Sequence, residues 1–422
     1  MNGSHAANDV LFSEFDLTNG LKVILSADSS IPSAAINLCY HVGSKDDDPD
    51  KRGFSHLFEH LMFEGSKNIA PGDYDRLSLM AGCENNAYTT EDKTNYYLLV
   101  PSNQIEFGLW LESDRMLEFA VTEESLELQK EVVIEEKKQV YDNKPYGSVS
   151  MELAPRLFSE NGYGWDTIGN TVDIENAKLD DVRAFFGKYY VPNNAVLTIA
   201  GDIDIDKTIR LVERYFGPIS KGQNGSRKEF QNSLLEKEVR AEIYDEIQLP
   251  GIFLAYKMPK EDSKEFFEFD ILSDVLSMGD SSRLYKELVY DKHLVSDVGA
   301  WVEGKEFAGL INIYAILMPG VKIETVQNEI DRIISEVKDG KVTAAELEKV
   351  INRIETRHAY RMQTNLSKAD MLSHYAAFYN DPGLINTNIE RYHMVTLEGI
   401  RESAAKYLDP ANRVVLNYLP KK

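Results

Sequence analysis

The segment RGFSHLFEHLMFEG, residues 52–65, sets two histidines and a glutamate among Leu, Phe and Met. His56 and His60 stand four residues apart, so on a helix both imidazoles stack on one face within reach of a single ion. Glu59, one turn after His56, falls on that same face. Imidazole and carboxylate are costly to bury in an apolar segment unless something satisfies them. Zinc does so, because it takes imidazole nitrogen and in hydrolytic sites leaves one position open. The expectation is a zinc centre held by His56 and His60, with Glu59 placed to touch what the ion binds.

A third protein ligand is then required, and EESLELQKEVVIEEKKQVYDN, residues 123–143, is the richest helical source. Around Glu136 the neighbours at i−4, i−3 and i+4 are Val132, Val133 and Val140, which predicts an apolar stripe facing the core. Around Glu135 they are Glu131, Lys138 and Gln139, a solvated face. Glu136 is therefore read as a buried carboxylate that needs a cation, either the metal or a basic side chain. Glu131 and Glu135 are read as surface charge, and the runs SKDDDPDKR and KEVVIEEKK as including solvated faces or loops.

The elements that must position these residues are written twice. The first half opens on strands at LKVILSADS and AAINLCYHVG, continues through the histidine helix and closes on a strand at AVLTIAGDI. The second half repeats the order with AEIYDEI, GIFLAYKMP, the helix FFEFDILSDVLSMG and the strand RVVLNYL. Between them FGPISKGQNGSRKEF, residues 216–230, has the composition of an exposed linker. The predicted fold class is α+β: two homologous α/β sandwich domains, each a mostly antiparallel sheet packed with helices. The domains are expected at 1–220 and 231–422, with a linker at 221–230. At an offset of 215, Leu57 falls on Leu272 and Leu61 on Leu276, whereas His56 meets Ile271, Glu59 meets Asp274 and His60 meets Val275. The second copy keeps the packing positions and lacks both histidines, so the fold itself does not need them.

Composition narrows the function classes. Of 422 residues 43% are hydrophobic and 27% charged, a globular balance. The net charge of −23 repels nucleic acid and anionic lipid. No apolar run reaches membrane-spanning length. Cys39 and Cys83 are too few for a disulfide scaffold. His41, His293, His358, His374 and His393 lack a partner at ligand spacing and are read as structural or exposed.

His56, Glu59 and His60 form the pattern H-x-x-E-H, and with it the chain resembles the inverzincins, the insulinase and pitrilysin group that includes the mitochondrial processing peptidases. In that family a helical glutamate follows the second histidine at a separation similar to the 76 residues between His60 and Glu136. NNAYTTEDKTNYY (85–97), YYVPNNAVLTIAGDID (189–204) and SSRLYKELVYD (281–291) are similar to the family as well. The resemblance implies a zinc endopeptidase whose halves enclose a chamber. His56, His60 and Glu136 would hold Zn2+, and Glu59 would take a proton from the attacking water and pass it to the leaving amine. ENNAYTTED reads as a strand, either internal or at a sheet edge, where it would offer free N–H and C=O groups to an extended peptide. The resemblance favours the edge, with Asn86, Ala87 and Tyr88 as the substrate strand.

Two departures qualify the resemblance. Family members usually carry a supporting glutamate seven residues before the ligand glutamate; here that place is Gln129, which can hydrogen-bond a histidine but cannot offset its charge. Self-sufficient members also carry, in the second half, an arginine and a tyrosine that stabilise the oxyanion, and these align with Val289 and Ser296, neither of which can do so. Arg283 is the nearest arginine and is expected to cap or pair within its own helix. The chain thus looks like the zinc-bearing subunit of a heterodimer, completed by a homologous partner that lacks zinc and supplies the Arg/Tyr pair. A self-sufficient homodimeric peptidase and a non-catalytic structural subunit are the alternatives. Paired bacterial members of this size are often exported, and HAAN near the start is compatible with the edge of a cleaved signal, which favours the periplasm over the cytoplasm.

Overall fold

The computed structural model describes residues 9–223 and 229–421. The first eight residues, HAAN included, and residues 224–228 of the expected linker lie outside the described residues. Two sheets organise the chain. The first is six-stranded, built from β1 (Ser13–Asp16), β2 (Lys22–Ala27), β3 (Ser33–Tyr40), β4 (Glu84–Thr89), β5 (Thr94–Pro101) and β6 (Ala195–Gly201) in the order β1-β2-β6-β3-β5-β4. The second is five-stranded, built from β7 (Val239–Asp245), β8 (Gly251–Met258), β9 (Val295–Gly304), β10 (Gly309–Leu317) and β11 (Arg413–Pro420) in the order β7-β11-β8-β10-β9.

Apart from the additional β1, the two orders are one topology. In each, the chain-closing strand inserts beside the opening one and runs parallel to it, β6 with β2 and β11 with β7, while every other pairing is antiparallel. β5 starts at Thr94 and β10 at Gly309, an offset of 215. The duplicated, mostly antiparallel α+β architecture is therefore as the repeat predicts. β6 and β8 are buried along their whole length because helices cover both faces.

What covers those faces departs from the sequence expectation. Of the described residues, one compact unit gathers 9–136, 165–223 and 358–388, and the other 137–164, 229–357 and 389–421. Five helices carry the argument from here: α1 (Phe54–Leu61), α2 (Glu123–Lys137), α3 (Val149–Leu157), α4 (Lys264–Ser277) and α5 (Asn365–Tyr379). α5, from the second half of the sequence, lays Met371, Leu372, Tyr375 and Ala376 on Ile24 and Val196 of the first sheet. Ala369 meets Ala35 and Ala200, small residues that let helix and sheet approach closely. Ser373 accepts from Asn37 Nδ2 at 2.8 Å and donates to Thr198 Oγ1 at 2.8 Å, both buried.

Reciprocally α3, from the first half, packs Leu153 and Leu157 with Phe253, Ala255, Val414 and Leu416 of the second sheet. The starts of α3 and α5 lie 216 residues apart, close to the repeat offset, so each repeat lends the same element to the other's sheet. The exchange corrects the contiguous boundaries 1–220, 221–230 and 231–422. Its physical reason is that an apolar helix face specifies burial and not which sheet does the burying.

A fragment ending at residue 223 carries every strand of the first sheet and lacks α5. It is expected to expose the Ile24–Val196 face, bind a hydrophobic dye and unfold without a cooperative transition in urea, and co-expression with the remaining chain should restore that transition. A sharp transition from the fragment alone would contradict the exchange.

Candidate metal centre

α1 has eight residues, too few to be stable unsupported. Its start is built by two features. Gly53 sits at φ 90°, a left-handed conformation, and an added Cβ there would lie 2.8 Å from the Ile168 carbonyl oxygen. The Asp47 carboxylate then caps the helix, accepting from Gly53 N at 2.9 Å, Ser55 N at 3.0 Å and Ser55 Oγ at 2.6 Å. One face, Phe54, Leu57, Phe58 and Leu61, is buried, with the Phe58 ring 4.4 Å from Tyr190 and 4.9 Å from Phe119. Burying that face leaves His56, Glu59 and His60 together on the other.

α2 meets this polar face. Glu136 Oε2 lies 3.2 Å from His60 Nε2 and 3.7 Å from His56 Nε2, and the two imidazole rings stand 4.9 Å apart at 81°. The three ligand atoms lie within 4.8 Å of one another, and among the described residues this is the one group of three or more His, Cys, Asp or Glu so arranged. After Lys137 the helix widens into a π-helical turn, Lys138–Asp142.

The charge states suit a cation. Burial, joined by the proximity of His60, pushes His56 down to about 4, so its imidazole is neutral at pH 7. The hydrogen bond from His60 holds the Glu136 carboxyl below the usual range. Two imidazole nitrogens thus aim at one carboxylate oxygen, where one proton serves a single pair and a cation serves all three. His56 Nδ1 is buried without a hydrogen bond. Two imidazoles and a carboxylate are a donor set that zinc takes, and the residues present fit it. Glu59 is raised by burial, which a hydrogen bond donated by Thr89 Oγ1 to its Oε2 at 2.5 Å opposes.

Several sequence expectations need correction. The Glu136 side chain is 37% exposed, and of its valine neighbours only Val133 is buried, Val132 and Val140 being 40% and 39% exposed. The stripe that singled out Glu136 is thus only partly buried, because periodicity finds a helix face without saying what lies against it. Gln129, able by its chemistry to bond a histidine, donates to Glu64 Oε1 at 2.6 Å and so ties the stretch after α1 to α2. Asp47, inside a charge run read as including solvated faces or loops, is itself 5% exposed. Thr89 and Asp47 were missed as site supports, since neither stands at a spacing that marks it.

Asn86, Ala87 and Tyr88 lie in β4, which is an edge strand paired on one side with β5. The Tyr88 hydroxyl is engaged, donating to Asp370 Oδ1 at 2.5 Å. In the second unit Ile271 and Val275, aligned with the two histidines, are buried in the core, and Asp274, aligned with Glu59, is 5% exposed with its carboxyl raised by burial. Val289 packs against that core and the Ser296 hydroxyl donates to Ile316 O at 3.2 Å. Arg283 pairs beyond its own helix, with Glu346 at 2.8 Å and the Lys341 carbonyl at 2.5 Å. The His41 ring lies tilted against Phe378 at 4.5 Å, His393 pairs with Glu355 at 3.1 Å, and Cys39 and Cys83 are buried free thiols.

Residues 22–171 match the family model described as insulinase, peptidase family M16, and residues 176–354 match the one described as the peptidase M16 inactive domain. The zinc protease PqqE of Helicobacter pylori is 28% identical over 338 residues, 79% of this chain and 76% of that protein. A solved protease structure from Helicobacter pylori superposes with a TM-score of 0.92 at 24% identity, over 97% of this chain and 100% of that one. The periplasmic protease PqqL of Escherichia coli gives 0.79 at 16% identity, with 99% of this chain laid on 48% of that one.

Removing the cap is expected to loosen the site. Asp47→Ala, which deletes three hydrogen bonds to a buried carboxylate, should lower stability by about 2 kcal/mol in urea unfolding. Glu346 offers a pH signature. Burial raises its carboxyl, but bonds from Arg283 and Thr343 outweigh that and bring it down to about 2 from 4.5. The fold favours the ionised form, so this contribution is full above pH 4.5 and is lost as pH falls toward 2. Glu346→Gln should be less stable than wild type at pH 7, with the gap closing as acid is added.

Proposed function

The chain belongs to the insulinase family of M16 peptidases, and from that premise we propose that it is a zinc-dependent endopeptidase subunit completed by a homologous partner. The observation that carries the reading is the convergence of His56 Nε2, His60 Nε2 and a Glu136 carboxylate oxygen within 4.8 Å. A zinc ion held there supplies Lewis-acid polarisation of the scissile carbonyl and lowers the pKa of water toward neutrality. Glu59, on the same face of α1, receives the proton of the attacking water and delivers it to the leaving amine. The free edge of β4 at Asn86, Ala87 and Tyr88 pairs with the backbone of an extended peptide, which fixes the scissile bond beside Glu59.

The need for a partner rests on what the second unit lacks. Val289 is committed to a core and Ser296 to a backbone carbonyl, so neither offers a donor to a developing oxyanion. A partner without zinc but with an arginine and a tyrosine would supply the two. That this chain spans 48% of the PqqL chain agrees with an assembly of about twice its length. A net charge of −23 leaves nucleic acid out of the reading and favours neutral or basic peptides. Among the described residues no helix is long and apolar enough to cross a membrane, and the likeness to periplasmic PqqL supports the periplasm as the site of action.

The purified chain is expected to hold about one zinc per chain by elemental analysis, and Glu136→Gln to lose most of it. On a quenched fluorescent peptide it should be nearly inactive alone and active with an Arg/Tyr-bearing partner. Glu59→Gln should keep its zinc and lose roughly 100-fold or more of kcat. Strong cleavage by the isolated chain would overturn the partner requirement, and a chain without zinc would overturn the peptidase reading.

A further inference from the structure

We propose that Thr89 is a positioning residue for Glu59, coupling the proton-transfer carboxylate to the strand that would bind the peptide; this rests on the peptidase reading above. Thr89 Oγ1 donates to Glu59 Oε2 at 2.5 Å, and Oε1 makes no hydrogen bond among the described residues. One oxygen is therefore held and the other is left to take a proton. A carboxylate on a flexible side chain transfers protons well only when its orientation is set in advance, and a hydroxyl donor on a rigid strand sets it.

Thr89 is itself held on both sides. It ends β4 and pairs with Thr94 of β5 across a turn that Thr90 N closes onto Lys93 O at 2.8 Å. Ser44 N donates to Thr90 O at 3.1 Å and Lys45 N to Glu91 O at 3.0 Å. This approach needs a glycine at 43, where an added Cβ would stand 2.4 Å from the Thr90 carbonyl oxygen. From α5, Asp370 accepts from the Tyr88 hydroxyl at 2.5 Å and from Lys93 Nζ at 3.2 Å. The turn that carries Thr89 cannot drift without breaking these bonds. A peptide added to the open edge of β4 would then be registered against Glu59 through one residue, Thr89, that belongs to the peptide-binding strand and touches the base.

Thr89→Val removes the donor and keeps the shape and strand preference of threonine, whereas Thr89→Ser keeps the hydroxyl. Both are compared with wild type as zinc-loaded protein, with an Arg/Tyr-bearing partner present, on a quenched fluorescent peptide, and wild type and Thr89→Val are crystallised. For Thr89→Val, kcat is expected to fall about tenfold with KM changed less than about twofold, and Thr89→Ser should recover to within about threefold of wild type. Zinc content should be unchanged in both. In the crystals the Glu59 carboxylate should turn in Thr89→Val while the β4 backbone superposes. Wild-type kcat in Thr89→Val would overturn the proposal, as would loss of zinc or a rise in KM shared by both variants. If wild type itself cleaves nothing, the peptidase reading fails, and the Glu59 rotamer still decides: an unchanged rotamer in Thr89→Val overturns the positioning role.

Discussion

An eight-residue helix cannot hold its own shape in water, and three of the four residues that define the candidate metal centre ride on one. The rest of the first unit can be understood as the answer to that constraint. Phe58 is gripped by Tyr190 and Phe119, Asp47 supplies the cap that the backbone at Gly53 cannot, and Gly53 itself rests against Ile168 and Gly169 with no room for a side chain. Each support acts on the apolar or terminal parts of α1 and none touches the imidazoles. The polar face is thereby rigid and unoccupied by structural duties, a condition for ligand groups that must point at one place.

The second unit works as an internal comparison. It repeats the strand order and places α4 where the first unit has α1, yet Ile271 and Val275 stand at the histidine positions and are buried. There the helix face that could have borne ligands is spent on packing, and α4 is six residues longer than α1. A helix with core contacts on more of its circumference needs no capping carboxylate reached across a loop. The same frame thus supports either a stable core or an exposed ligand cluster, and the choice between them is made at a few positions.

The sequence made much of this legible, for identifiable reasons. The strands at β2, β3, β6, β8 and β11 are largely apolar runs and β7 alternates polar with apolar residues, and the repeat offset doubled the signal. The H-x-x-E-H spacing is legible because i and i+4 share a helix face whatever the surroundings. Relations between distant segments were not legible. Glu136 emerged from a stripe of which only Val133 is buried, so the residue was found through a premise about burial that holds only in part. Asp47 looked like one charge among seven in the run SKDDDPDKR, and its role depends on a loop bringing it to α1. The crossing of α3 and α5 leaves no local mark, since each would look the same packed on its own sheet.

That crossing bears on how the polypeptide is made. β6 completes the strands of the first sheet at residue 201, but α5, which covers one of its faces, ends only at residue 379. On the ribosome the covering helix arrives almost a half-chain late. At roughly 5–20 residues per second, the delay is on the order of ten seconds or more, during which Ile24 and Val196 face water or a chaperone. The first unit, though synthesised first, closes almost last, so the ligand-bearing face would mature only when nearly the whole protein exists. For a member of a peptidase family this timing keeps the nascent chain without a finished candidate site until translation is close to its end.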